Sequence, residues 1–386
     1  MSIFDKQVNR RGSGSYKWDE IREDGVIPLW VADMDFEASP AIKKALTRRV
    51  EHGVFGYTEV DEEYYDAIIS WQRRRHQWEI ERNWILYTSG VVPAVSCCIK
   101  ALTLPGDKVV VMTPVYNCFF SSIRNQGCEI AESKLIRKGD TYIIDWDDFE
   151  RQCRDERTTV FLLCNPHNPV GRVWTRDELE RMGEICRRHN VRVISDEIHC
   201  ELTMPGYSFI PFAAVNEKNL RNSVTLNAPS KAFNTAGLQN AYLICSDNVM
   251  RHRINRVINI YEVCDVNPFG VEGLKAAYND SEDWLDELRG YIQENYNLLK
   301  ETFAKELPQV DVIKLEATYL AWVDIRNTGL TSDQATTKLL HKGKVFVSSG
   351  TLYGKEAGEG FLRINLACSR ATLKEGIQRI TGVLKG

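Results

Sequence analysis

The sequence predicts an α/β fold: a mostly parallel central sheet with helices on both faces, plus a smaller α+β domain. Three observations carry this. Short β-rich runs alternate with helical stretches through the middle of the chain. Those runs are apolar on both sides, as burial between two helical layers demands. After about residue 280 the pattern changes to one long amphipathic helix followed by separate strand-like segments.

The elements follow in order. In "WILYTSGVVPAV", Ser89 and Gly90 sit where a strand turns into a helix. The runs "KVVVMTP", "TTVFLLCNP", "VRVISDE", "SVTLNAP" and "AYLICSD" read as strands. Between two of them, "TRDELERMGEICRRHN" places Leu179, Met182, Ile185 and Cys186 on one helical face, with charges on the other. Thr175 is its expected N-cap, with Glu178 three residues on. Beyond residue 280, "SEDWLDELRGYIQENYNLLKETFAKEL" reads as a long helix, and "TYLAWVDIR", "VFVSSG" and "FLRINLAC" as strands of a second lobe. The expected organisation is an N-terminal segment, 1–45, packing with the small domain; a large domain, 46–280; and a small C-terminal domain, 281–386. No internal repeat or low-complexity stretch interrupts it.

Composition excludes several classes. A net charge of -4 gives no basic footprint for nucleic acid. The start, "MSIFDKQVNRRGSGSYKWDE", has no apolar h-region, and no apolar run is long enough to span a bilayer. The 11 cysteines are scattered, mostly inside apolar runs, with no C-x-x-C pair. They read as reduced, buried side chains of a cytoplasmic protein, without the spacing of a metal site.

In open α/β sheets, ligands bind beyond the carboxyl ends of the strands. There the sequence sets an amide (Asn168), a carboxylate (Asp196), a lysine (Lys231) and an aromatic (Tyr116). Taken singly, each has a bland reading: Asp196 as a cap, Asn168 as a turn residue beside Pro169, Tyr116 as a core ring. Together they point to one site. Lys231 is the most telling, because small residues surround it: Ala228, Ser230, Ala232, Thr235, Ala236 and Gly237. A lysine in a dry pocket loses its proton more easily and becomes a nucleophile toward carbonyls. Pyridoxal 5'-phosphate is an aldehyde that needs such a lysine, together with a carboxylate for its ring nitrogen, an anion cradle and a ring sandwich.

The segments "PLWVADMDF", "FGYT", "TSGVVPA", "NPHNPVGRVW", "SDEIHCEL", "SKAFNTAGLQNA" and "GFLRINLACSR" run in order from residue 28 to residue 370. With them the chain resembles the fold-type I pyridoxal-phosphate enzymes of the aminotransferase class I/II superfamily, and more closely the MalY/PatB-type cystathionine β-lyases. The resemblance implies that Lys231 bonds the cofactor and that Asp196 pairs with its ring nitrogen. It implies that Asn168 binds the phenolic oxygen and Tyr116 stacks on the ring. Gly90, Val91 and Ser230 would hold the phosphate. Tyr57 would reach the phosphate of a neighbouring subunit, which implies a homodimer with shared sites. Arg363 would bind the substrate carboxylate, with Trp30 beside it. Two positions depart from the wider superfamily: His199 stands where many relatives carry a tyrosine near the phenolic oxygen, and Gln239 where many carry an arginine for the phosphate.

Bland readings stand beside these roles: a structural ion pair for Arg363, packing for Tyr57 and Trp30, a satisfied buried histidine for His199. The implied activity is α,β-elimination from L-cystathionine, or from L-cysteine and related S-substituted cysteines, to a thiol, pyruvate and ammonia, as in methionine biosynthesis. An aminotransferase is the alternative, since one lysine serves both paths. A non-catalytic binding protein on the same fold would lack the lysine or the carboxylate, and both are present.

Overall fold

The computed structural model describes residues 2–385. Seven strands form the central sheet: β1 (Ile85–Thr88), β2 (Lys108–Thr113), β3 (Glu129–Lys134), β4 (Thr158–Cys164), β5 (Arg192–Asp196), β6 (Ser223–Asn227) and β7 (Ala241–Ile244). Their spatial order is β1-β7-β6-β5-β4-β2-β3. Neighbours from β6 through β3 pair in parallel. Strand β7 runs against both β6 and β1. The connection from β6 to β7 holds only one short turn, Ala236–Leu238, and no crossover helix of the kind that usually joins parallel strands.

Alternate side chains of each strand enter different layers. Val109 and Val111 of β2 join Val95, Leu162 and Ile254 in one apolar cluster. Val110 and Met112 join Phe149, Phe161 and Met182 in the other. This two-sided burial is why the strands read as continuous apolar runs. The helix Arg176–Arg188 buries Leu179, Met182, Ile185 and Cys186. Its capping box forms as expected: the Thr175 N–H donates to Glu178 Oε2 at 2.8 Å, and the Glu178 N–H to Thr175 Oγ1 at 3.2 Å.

The long helix is Glu282–Glu306, and it leads into an antiparallel sheet of Asp311–Val312, Leu320–Asp324, Phe361–Asn365 and Ser348–Ser349. The N-terminal segment reaches this lobe by a short parallel pairing, Ile27 with Val345 and Pro28 with Phe346. Residue 45 lies inside a helix, Pro40–His52, which packs on the helix Pro268–Asp280. All cysteines except Cys118 and Cys264 are buried, and all are free thiols. Among the described residues, no helix is long and apolar enough to cross a membrane.

Candidate active site

Four strand ends deliver the polar groups to one edge of the sheet. β5 ends on Asp196, β4 runs into the turn that carries Asn168, β6 leads to Ser230 and Lys231, and β2 leads to Tyr116. β1 ends at Thr88 and passes through Ser89 and Gly90 into the helix Val91–Leu102. The opposite wall comes from the C-terminal lobe, through Arg363 on the strand Phe361–Asn365, and from the N-terminal segment 30–32. Together they enclose a cavity of about 460 Å³. Lys231, Asp196, Asn168, Tyr116, Gly90, Val91, Ser230, His199, Arg363 and Trp30 all line it.

Tyr57 does not. Its ring is fully solvent-exposed, beside exposed Val54 and Phe55 on a segment with no regular structure. Within one chain it makes no part of the cavity wall.

Burial sets the protonation states here. Asp196 is pushed up to about 7 by desolvation, against the pull of the Ile198 N–H, 3.2 Å from its Oδ1, and of the Lys231 amine. Lys231 is lowered by desolvation and then by the Arg363 guanidinium, with Asp33 and Asp196 opposing. Desolvation, Lys231 and Arg363 all drive His199 well below the ordinary histidine range, so it is neutral. Desolvation raises the Tyr116 hydroxyl, with Cys118 and Asp196 adding to it.

The N-terminal segment acts as a strap across the cavity. The Ala32 carbonyl accepts from Lys231 Nζ at 2.7 Å and from the Tyr319 hydroxyl at 3.0 Å. The Trp30 carbonyl accepts from Arg363 Nη2 at 2.9 Å. Asn365 Nδ2 donates to the carbonyls of Val31 and Asp33, and Asn234 Nδ2 to those of Met34 and Phe36. Lys17, with its side chain fully enclosed, anchors the strap through Asp35 at 3.0 Å. These bonds hold the lysine and the arginine on one backbone segment.

Arg363 Nη1 also donates to Asn168 Oδ1 at 3.3 Å, which leaves the Asn168 amide nitrogen to offer to a ligand. Its guanidinium lies over the Tyr353 ring, 4.6 Å from the centroid.

Three lining residues carry a buried polar atom without a protein partner: His199 Nδ1, Asn240 Nδ2 and Arg363 Nε. Unpaired buried polar groups are costly, so a site that keeps three beside a cavity is built for a polar ligand. The helix N-terminus at Val91, with Ser89 and Ser230 near it, suits an anion. A buried carboxyl, a depressed amine and an anion cradle are the donor set that pyridoxal phosphate requires, and the residues fit it.

The structure adds residues that sequence reasoning missed. Asn240 accepts from the Tyr64 hydroxyl at 3.1 Å and stands in the wall beside Gln239. Tyr16, Ala32, Cys118, Ser348 and Tyr353 line the cavity as well. Outside it, His76, Cys200 and Glu201 bring ligand-type atoms within 4.8 Å of one another, a group that spacing along the chain did not reveal. There Glu201 Oε1 bonds His76 Nε2 at 2.6 Å and the Trp71 Nε1–H at 2.7 Å.

The sequence profile of the family "Aminotransferase class I and II" matches residues 24–380. Cystathionine beta-lyase PatB of Bacillus subtilis is 42% identical over 385 residues, covering 99% of each chain. Protein MalY of Escherichia coli is 31% identical, covering 100% of this chain and 99% of its own. The crystal structure of cystalysin from Treponema denticola, which contains pyridoxal 5'-phosphate, superimposes with a TM-score of 0.96 at 34% identity, covering 100% of this chain and 99% of that one.

Proposed function

The chain belongs to the aminotransferase class I and II family, and from that premise we propose that it is a pyridoxal-phosphate-dependent carbon–sulfur β-lyase acting on L-cystathionine and related S-substituted cysteines. The observation that carries the reading is the meeting of Lys231, Asp196, Asn168 and Arg363 on one enclosed cavity, in a chain alike along its whole length to an enzyme named for this elimination.

Pyridoxal phosphate, when bound, supplies an aldehyde for the substrate amine and a ring that spreads the electron pair left at Cα. Asp196, raised to about 7 by burial, would face the ring nitrogen and hold a proton there. Asn168 Nδ2 would donate to the phenolic oxygen, and Tyr116 would cover one ring face. The N–H groups at the start of the helix Val91–Leu102, with Ser230, would bind the phosphate. Gln239 brings no charge there, so backbone dipoles carry more of the load.

Arg363 binds the substrate α-carboxylate with its two-pronged fork. Burial and Arg363 disfavour the charged form of Lys231, which suits its Nζ to take the Cα proton. The same nitrogen, then an ammonium, returns a proton to the departing sulfur. His199 stays neutral and leaves Nδ1 for the cofactor. Overall, a thioether R–S–CH2–CH(NH3+)–COO− and one water give R–SH, pyruvate and ammonium.

In this reading residues 46–280 carry the cofactor, while residues 281–386 and the N-terminal segment close over the substrate. The active unit is a homodimer in the cytoplasm. The exposed Val54, Phe55 and Tyr57 fit a surface that a second copy covers, with Tyr57 reaching the neighbour's phosphate. Free thiols throughout fit a reducing compartment.

The test is a product assay on the loaded protein with L-cystathionine or L-cysteine and no amino acceptor. Pyruvate and thiol in equal amounts are expected. Turnover only when a 2-oxo acid is added would make the protein an aminotransferase.

A further inference from the structure

The cavity differs in chemistry between its inner end and its mouth. Its charged lining residues are Asp196, Lys231 and Arg363, and the proposed elimination uses all three. The lining residues that meet solvent are uncharged: Tyr16, Val92, Ala236 and Leu352 are aromatic or aliphatic, and Asn117 and Gln239 carry neutral amides. Tyr16 and Trp30 lie 5.1 Å apart by ring centroids, and Phe346 supports Trp30 from 5.0 Å. Tyr16 is 63% exposed and Leu352 53% exposed, which places them where the cavity meets solvent.

The Trp30 ring is fixed in place. Its Nε1–H donates to the Lys17 carbonyl at 3.1 Å. Its own carbonyl accepts from Arg363 Nη2 at 2.9 Å and from Ser348 Oγ at 3.1 Å. One residue thus holds the carboxylate-binding arginine by its backbone and lines the mouth with its ring. A substrate carboxylate at Arg363 lies beside Trp30, whose carbonyl holds that arginine, and Tyr16 stands against the Trp30 ring at the solvent edge.

We infer that Tyr16 and Trp30 are specificity-determining residues that favour cysteine thioethers with an aromatic or aliphatic sulfur substituent over cystathionine. This rests on the lyase reading. The cystathionine substituent ends in an ammonium and a carboxylate. Among the described lining residues no cation remains for that carboxylate once Arg363 has bound the other one. At the solvent edge those charged ends gain no partner from the rings and cover them less well than an apolar group does. An apolar substituent gains burial and, if aromatic, an edge or offset contact with the rings.

The experiment uses the full-length, cofactor-loaded protein and compares kcat/KM for pyruvate release from S-benzyl-L-cysteine, S-methyl-L-cysteine and L-cystathionine. S-benzyl-L-cysteine is expected to exceed L-cystathionine by about 10-fold or more, the scale set by apolar-pocket discrimination. Tyr16→Ser is expected to lower the S-benzyl value about 5- to 10-fold, while the S-methyl value, whose substituent stops short of the ring, moves less than about twofold. Tyr16→Arg supplies the missing cation and is expected to raise the L-cystathionine value. The exposure of Tyr16 keeps both substitutions compatible with folding. Pyruvate from all three substrates with cystathionine preferred, or an equal loss on all three in Tyr16→Ser, overturns the inference alone. No pyruvate from any of them without an added 2-oxo acid overturns the lyase reading and this inference with it.

Discussion

Replacing Asp196 by Asn separates two effects of one carboxyl. In the cofactor-free protein, burial raises it from an ordinary 3.8 to about 7, with the Ile198 N–H and Lys231 pulling the other way. Below pH 3.8 the group is protonated in both folded and unfolded chains and has no effect on stability. As pH rises from 3.8 to about 7, the unfolded chain ionises while the folded one keeps its proton, so folding becomes steadily less favourable. Above that range the full difference stands, about 4 kcal/mol. Asn has the same shape, keeps an oxygen for the Ile198 N–H and carries no charge. Cofactor-free Asp196→Asn should therefore be more stable than cofactor-free wild type at pH 8, by on the order of 2–4 kcal/mol, with the gap closing toward pH 4. Urea melts at the two pH values read this directly. With cofactor bound the order inverts, because only the carboxylate pairs with a protonated ring nitrogen. Pyruvate formation should fall by about two or more powers of ten. A cofactor-free variant no more stable than wild type at pH 8, or a loaded variant with near-native turnover, would refute the role given to this residue.

Two further substitutions test other walls of the site. Arg363→Lys keeps the charge but loses the fork, and kcat/KM for any cysteine thioether should drop on the order of 10²-fold, mostly through KM, in steady-state pyruvate assays. Tyr57→Ala and Lys231→Ala should each be weak or dead alone, yet refolded mixtures should recover activity, up to about half the sites of each mixed dimer. No recovery in mixtures that contain heterodimers, with cofactor affinity unchanged in Tyr57→Ala, would make Tyr57 a packing residue.

The sheet was legible because its strands are buried on both faces, and residues such as Val109 to Met112 announce that by being apolar throughout. The reversed direction of β7 was not, since strand direction follows from the connecting loop and not from the strand's own residues. In the cavity, side chains with distinctive chemistry at strand ends were legible: Asp196, Asn168 and Lys231. Ala32 was not, because it contributes only a carbonyl, which every residue has. Asn240 was hidden for a different reason. Its partner Tyr64 comes from a helix far away in sequence, and nothing near Asn240 marks that meeting. Tyr16 reads as a surface residue in a polar stretch until the fold brings Trp30 beside it. Tyr57 carried no local signal, and only the family resemblance singled it out.

Borohydride reduction of the cofactor-loaded protein, followed by peptide mass mapping, tests the lysine assignment most directly. Lys231 is one of several lysines on this chain, but it is the one whose amine lines the cavity and is held there by the Ala32 carbonyl at 2.7 Å. The pyridoxyl-phosphate mass is expected on the peptide bearing Lys231, and Lys231→Ala is expected to fold, take no label there and release no pyruvate. Label on a different lysine, or pyruvate at a native rate from Lys231→Ala, would contradict it.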